Sequence, residues 1–252
     1  MFEILGTQVH PTSYILATQQ IMDWAKRAES QYVCAANVHM IMEAYDDPDF
    51  CRIINRSALV TPDGMPLVWA MRLMGFQNQE RVYGPDLTLH VAQAAAKNSV
   101  PVGLYGGKPE TVISLADNLQ RSFPGLRIAY QFSPPFRPLL PIEDERVVAE
   151  IADSGAQILF VGLGCPQQEK WMAEHHGRVK AVMLGVGAAF DFHAGVIAQA
   201  PGWMQNAGLE WLFRLANEPR RLWRRYLYHN PRFLLLVTLQ LLRRNINFRE
   251  RP

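Results

Sequence analysis

Cysteine is scarce: Cys34, Cys51 and Cys165 are the only three in a chain of 252 residues, and no two form a CxxC pair. An odd, dispersed set excludes a disulfide framework and a zinc knuckle, and a reducing compartment is expected. The histidines, at positions 10, 39, 90, 175, 176, 193 and 229, lack zinc-ligand spacing, and His175-His176 reads as the end of a helix, so no metal is expected. There is no Walker A sequence and no DxD pair to bridge a metal to a diphosphate; Asp191-Phe192-His193 has that spacing with a histidine in place of the second acid. The glycine fingerprint of nicotinamide-dependent oxidoreductases fails twice, with Gln167 and Phe190 where GxGxxG requires glycine. No cofactor is therefore expected, nor a nucleic-acid partner.

Long apolar runs are also missing. No stretch approaches the ~20 residues that span a bilayer, and MFEILGTQVHPTSY has no basic segment leading into an apolar one. The expectation is a cytoplasmic protein that is neither secreted nor integral. Lysine is absent from residues 210–252, which hold ten Arg and three Glu; that segment carries +7 against +2 for the whole chain, leaving −5 for residues 1–209. The basicity belongs to the tail.

What is present is 49% hydrophobic and 19% charged residues, enough for one substantial core. Short apolar runs alternate with segments of helical period, which predicts an α/β domain with a mostly parallel sheet covered on both faces. Strands are expected at Tyr32–Ala36, Ala58–Thr61, Val102–Tyr105, Arg127–Tyr130, Ile158–Val161 and Ala181–Val186. Most of these runs end in glycine-rich or polar turns (AANVH, TPDGMP, YGGKPE, GLGCPQQE, GVGAAFDFHAG), where open α/β sheets bind ligands and helix N-termini meet anions. A phosphate-bearing ligand fits that pattern. Gln131–Pro141 (QFSPPFRPLLP) reads as an irregular loop bordering it.

The pattern changes after Pro201, dividing the chain into a body, residues 1–200, and a helical basic appendage, residues 201–252. Helices are expected at Gly208–Asn217, Pro219–Tyr228 and Pro231–Arg244, with prolines opening the last two. Phe233–Leu242 is almost wholly apolar between Arg232 and the pair Arg243-Arg244. Such a helix can lie in the headgroup region of an anionic membrane, or dock on the body or on a second subunit in a homo-oligomer. Exclusive use of arginine favours phosphate recognition, because a guanidinium binds phosphate through two prongs.

Four candidates for chemistry stand out. Asp63, in TPDG, leaves a buried strand for a helix near Met65, where a carboxylate can take a proton from a sugar hydroxyl; an Asp-Gly turn or helix cap is the ordinary alternative. Arg81 precedes a helix near Asp86 and can reach a diphosphate, or pair with Glu80 or Asp86. Gln168 and Glu169 lie in the first turn of a helix after the GLG turn, Gln168 as a hydrogen-bonding amide and Glu169 as a complement to the helix dipole.

Taken together, AANVHM, LVTPDGMPLVWAMRLMG, ERVYGPDL, LYGGKPE, FPGLRI, VGLGCPQQEKW, GVGAAFDFHAG, APGWMQNAGLEWLFRLANEPRRLWRRYL and NPRFLLLV resemble the WecG/TagA/CpsF family of bacterial glycosyltransferases, from about Val33 to Phe233. The resemblance implies a Rossmann-like α/β/α sandwich with a membrane-associating helical tail. It implies a hexosyltransferase that inverts configuration without a metal, moving N-acetylmannosamine, its uronic acid, glucose or glucuronic acid. The donor would be a UDP-sugar and the acceptor a polyprenyl-diphosphate-linked saccharide, in cell-surface or exopolysaccharide biosynthesis at the inner face of the membrane. Asp63 matches the family's base, and Asn37, Arg81 and Gln168 match its substrate-binding positions. Arg214, Arg221 and Arg224 match positions that engage donor or acceptor phosphate. Ala35 departs from the family's usual threonine, and Ala188 from a common glycine. A non-catalytic membrane-associated scaffold that retains the nucleotide-sugar pocket is the alternative.

Overall fold

The structure is a computed structural model that describes residues 2–249, with side chains through residue 243. Expectations for Arg244 as a flanking charge, and for residues 250–252, lie outside the described residues. Eight strands and twelve helices follow one another among them. They run β1 (Phe2–Ile4), β2 (Thr7–Val9), α1 (Tyr14–Lys26), β3 (Gln31–Ala36), α2 (Val38–Asp46), α3 (Pro48–Asn55), β4 (Leu59–Pro62), α4 (Met65–Leu73), α5 (Gly84–Lys97), β5 (Val102–Gly106) and α6 (Pro109–Ser122). The remainder is β6 (Ile128–Phe132), α7 (Pro141–Ser154), β7 (Ile158–Gly162), α8 (Gln167–His175), β8 (Val182–Gly185), α9 (Ala189–His193), α10 (Gly202–Asn206), α11 (Glu210–Asn217) and α12 (Pro219–Arg249).

Six strands form one parallel sheet in the order β4-β3-β8-β7-β5-β6. All six expected strands are present, shifted at their ends by one or two residues. Alternation along each strand divides the core between two faces. Tyr32, Cys34 and Ala36 of β3 join Leu159, Val161 and Met183 in a cluster with α2, α3, α4, α7 and α8. Val33, Ile158, Phe160, Val182 and Leu184 face the opposite way, onto α1, α5 and α6. The result is an α/β/α sandwich whose strands all present their carboxyl ends along one edge.

Two features depart from expectation. A hairpin, β1–β2, precedes the first helix; its turn places Leu5 at φ 50° and Gly6 at φ 85°, and leucine at positive φ gives no hairpin signal of the Asn-Gly kind. The second is that Pro231 neither opens nor ends a helix but lies inside α12. A proline there removes one N–H that would bond to the carbonyl of residue 227. The helix persists because Leu222, Tyr226, His229, Phe233 and Val237, spaced at three to four residues, form one buried stripe across the break. Phe233 and Val237 belong to the core cluster with α2, so the last helix is docked on the body. Arg232 pairs with Asp46 through both guanidinium nitrogens at 2.5 Å, and Gln240 donates to the Glu3 carbonyl at 2.8 Å. Among the described residues no helix is long and apolar enough to cross a membrane.

Candidate functional site

The floor of the site forms where β3 and β4 end side by side. Asn37 caps α2, its side-chain oxygen accepting from the amides of His39 at 3.1 Å and Met40 at 3.3 Å. The Asp63 and Gly64 amides both donate to the Ala36 carbonyl, which ties the TPDG turn to the end of β3. The ERVYGP segment then runs alongside β4, with the Val82 amide on the Pro62 carbonyl at 3.0 Å. That course brings the Gly84 amide to Asp63 Oδ1 at 2.7 Å, while Asn37 Nδ2 approaches Oδ2 at 3.4 Å.

Asp63 is therefore more than a turn residue. It is 8% exposed, and burial raises its carboxyl to about 6, opposed by the Arg81 charge and the Gly84 hydrogen bond and assisted by Glu210. A carboxylate so tuned is ionised at neutral pH and still basic enough to take a proton.

The second part of the floor comes from β7, β8 and the turn before α8. Gln168 is buried, accepts from the Gly164 amide at 3.2 Å and donates to Glu169 at 2.6 Å. Its amide lies over Gly185, where a Cβ would sit 2.7 Å from Met172 Cε and 3.0 Å from Gln168 Nε2, so a larger residue would push on both side chains. Glu169 lies in the first turn of α8, as expected, but is fully buried, and burial raises its carboxyl to about 7.

The roof comes from α11 and α12. Gly208, at φ 71°, lets the turn before α11 press on Trp69 so closely that a Cβ would lie 2.5 Å from the ring. Glu210 then reaches back to the body, paired with Arg81 Nη2 and accepting from the Tyr83 hydroxyl at 2.8 Å. Arg81 thus bonds neither of its expected neighbours, Glu80 or Asp86; its guanidinium stacks 3.8 Å from the Tyr83 ring centroid. Arg214 lies over the Phe192 ring and 3.9 Å from Glu218, which Arg221 also contacts at 2.6 Å.

Floor and roof enclose a cleft of about 330 Å³. Of the seven residues singled out from sequence, six line it: Asn37, Asp63, Arg81, Gln168, Arg214 and Arg221. Arg224 is placed elsewhere, exposed to solvent and 5.3 Å from the Trp223 ring centroid. Arg225 lines the cleft in its stead. The signal was available in the helical period, since position 225 adjoins the stripe of Leu222, Tyr226 and His229 while position 224 faces away. Arg214 Nε and Arg225 Nε are buried without a hydrogen-bond partner among the described residues. Donors in that condition call for an anion. Glu210 and Tyr83 had no local signal, because their roles arise only where the roof meets the body. In the Asp191-Phe192-His193 segment the His193 ring bonds the Pro85 carbonyl at 2.9 Å through Nε2.

Fold and cleft together define an α/β protein that opposes a buried carboxylate to a bank of arginines at the carboxyl edge of a parallel sheet. The model of the glycosyl transferase WecG/TagA/CpsF family matches residues 2–247. The N-acetylglucosaminyldiphosphoundecaprenol N-acetyl-beta-D-mannosaminyltransferase of Bacillus subtilis is 31% identical over 207 residues, 81% of this chain and 78% of the relative. The enzyme of the same name from Bacillus spizizenii is 31% identical over 198 residues, 78% of this chain and 74% of the relative. The chain belongs to the glycosyl transferase WecG/TagA/CpsF family.

Proposed function

We propose that this chain is an inverting hexosyltransferase that moves a sugar from a UDP-sugar to a polyprenyl-diphosphate-linked saccharide in bacterial cell-surface polymer synthesis. The observation that carries the reading is Asp63, a buried carboxyl raised to about 6, facing a cleft roofed by arginines. In the transfer, the acceptor hydroxyl attacks the anomeric carbon of the donor from the face opposite the diphosphate. Asp63 takes the hydroxyl proton as the new bond forms, the bond to the diphosphate breaks, and UDP leaves with the electron pair. A single displacement inverts the anomeric centre.

Charge accumulates on the departing diphosphate, and Arg214, Arg221 and Arg225, which line the cleft, are suited to meet it. Arg81 holds Glu210 and packs on Tyr83, a positioning role for the junction of roof and floor. Gln168 and Asn37 offer amide hydrogen bonds to the sugars. The relatives' names favour N-acetylmannosamine as donor sugar and undecaprenyl-diphosphate-linked N-acetylglucosamine as acceptor. Ala35 lines the cleft where the family's threonine hydroxyl usually stands, which bears on donor choice.

The reading divides the chain into a catalytic body, residues 1–200, and an appendage, residues 201–252, that both roofs the cleft and meets the membrane. Leu227, Leu234, Leu235, Leu239 and Leu242 are exposed along α12, in the segment that ends at Arg243. An apolar strip beside basic residues favours partial burial in an anionic leaflet at the inner face of the cell membrane.

The test is transfer from a panel of UDP-sugars to a short-chain polyprenyl-diphosphate N-acetylglucosamine, comparing wild type with Asp63→Asn. Product from wild type alone supports the reading and names the donor. UDP-sugar binding without transfer to any acceptor would make the chain a binding scaffold instead.

A further inference from the structure

Outside the cleft, the fold brings together two histidines that are 190 positions apart in the chain. His39 and Glu43 stand one turn apart on α2, and His229 reaches them from α12. One ligand atom from each lies within 4.8 Å of the others. His39 Nδ1 is 3.6 Å from Glu43 Oε1, and His229 Nε2 is 3.4 Å from the same oxygen. None of the three lines the cleft.

An ordinary polar contact would look different. A histidine beside a carboxylate normally closes to a hydrogen bond of roughly 2.7–3.2 Å. Here both separations are longer, and the two rings are tilted by 59° at a centroid distance of 5.2 Å rather than stacked. Ligands held about 2.1 Å from a tetrahedral cation stand roughly 3.4 Å from one another, close to the separation of each histidine nitrogen from the Glu43 oxygen. His39 Nδ1 is buried with no hydrogen-bond partner among the described residues. The His39 ring also bonds the Cys165 backbone, the kind of contact that orients a metal-ligating imidazole through its other nitrogen.

We propose that His39, Glu43 and His229 form a binding site for a divalent d-block cation, zinc fitting best, which clasps α12 to α2. Two imidazoles and one carboxylate are a donor set that zinc accepts with a fourth position left for water. The nearby Arg225 charge opposes the cation, whereas Arg232 is neutralised by Asp46. The clasp sits one helical turn beyond Arg225. By joining roof to body, it holds the arginines over the cleft while taking no part in sugar transfer, so it stands or falls independently of that chemistry.

The test uses the full, tag-free chain freed of metal and titrated with zinc against a chromophoric chelator, then with cobalt for its visible spectrum. The expected result is one equivalent of zinc, a melting temperature that rises with zinc, and the intense visible bands of four-coordinate cobalt. His229→Gln and Glu43→Gln should each weaken zinc binding by more than about tenfold, with far-ultraviolet circular dichroism reporting that they fold. His229→Cys should restore binding and add a thiolate-to-cobalt absorption that the wild type lacks. No stoichiometric binding to the folded wild type would overturn the site. So would affinity undiminished in both glutamine variants, or a cysteine variant without the thiolate band.

Discussion

The floor and the roof of the cleft are built on different physical terms. The floor fixes Asp63, Asn37 and Gln168 by hydrogen bonds to backbone amides within a turn or two of strand ends. The roof carries long arginines: Arg214 and Arg221 contact Glu218, and Arg214 and Arg225 each keep a nitrogen unpaired among the described residues. A rigid carboxylate suits proton transfer, which depends on geometry to fractions of an ångström; displaceable guanidinium groups suit a diphosphate that must arrive and depart. The contrast assigns the two sides different kinetic signatures.

The sharpest way to break it is Asp63→Asn, which keeps the shape and the acceptor for the Gly84 amide but removes the base. Turnover should fall about 10²–10⁴-fold with UDP-sugar affinity little changed, read by steady-state kinetics and calorimetry. Its stability has a definite sign. Because the folded-state value of about 6 lies above 3.8, wild-type stability is lost as pH rises between those values, and the penalty persists above about 6. The asparagine variant should therefore melt no lower than wild type at pH 7.5; a clear drop would mean that Asp63 is chiefly structural.

Next in size, Arg225→Ala should reduce kcat/KM by roughly 10–100-fold, the loss of a charge-assisted hydrogen bond of about 1.5–3 kcal/mol. Arg224→Ala should change it by less than about twofold, as expected of an exposed charge that faces away from the cleft. Equal losses in the two would mean that the roof rearranges when substrate binds. A smaller and more diagnostic effect lies in pH. kcat/KM should decline as pH falls through about 6, because protonating Asp63 removes the base, and a profile flat from pH 5 to 8 would assign the proton elsewhere. Finally, liposomes containing anionic lipid should float the full chain and not a chain ending at Pro201; flotation of both would move the membrane contact to the body.

Much of this protein was legible before folding. Strand runs such as Val102–Tyr105 and Ile158–Val161 are apolar on both faces, a property of buried parallel strands that needs no tertiary knowledge. Asp63 and Gln168 stood out because they sit in turns that follow such runs, Arg81 because it precedes a helix, and Asn37 through the resemblance to the family. The misses share a cause. The burial of Glu169 depends on what packs over α8, and Pro231 read as a helix start because its neighbours' burial against α2 is not a local property. Glu210 and the His39–Glu43–His229 cluster had no signal, since each is defined by the meeting of segments far apart in the chain.

By itself, then, the amino-acid order determined the alternation of strands and helices, the sheet's two apolar faces, the turns that carry the chemistry and the uneven charge of the tail. These follow from periodicity and turn preference, which act over a few residues. Only the tertiary structure decided that the last two expected helices run as one and fold back on the body, and that Arg81 joins Glu210. Contacts of that kind depend on how helices pack across the sheet, and packing is settled by shape and burial summed over the whole chain.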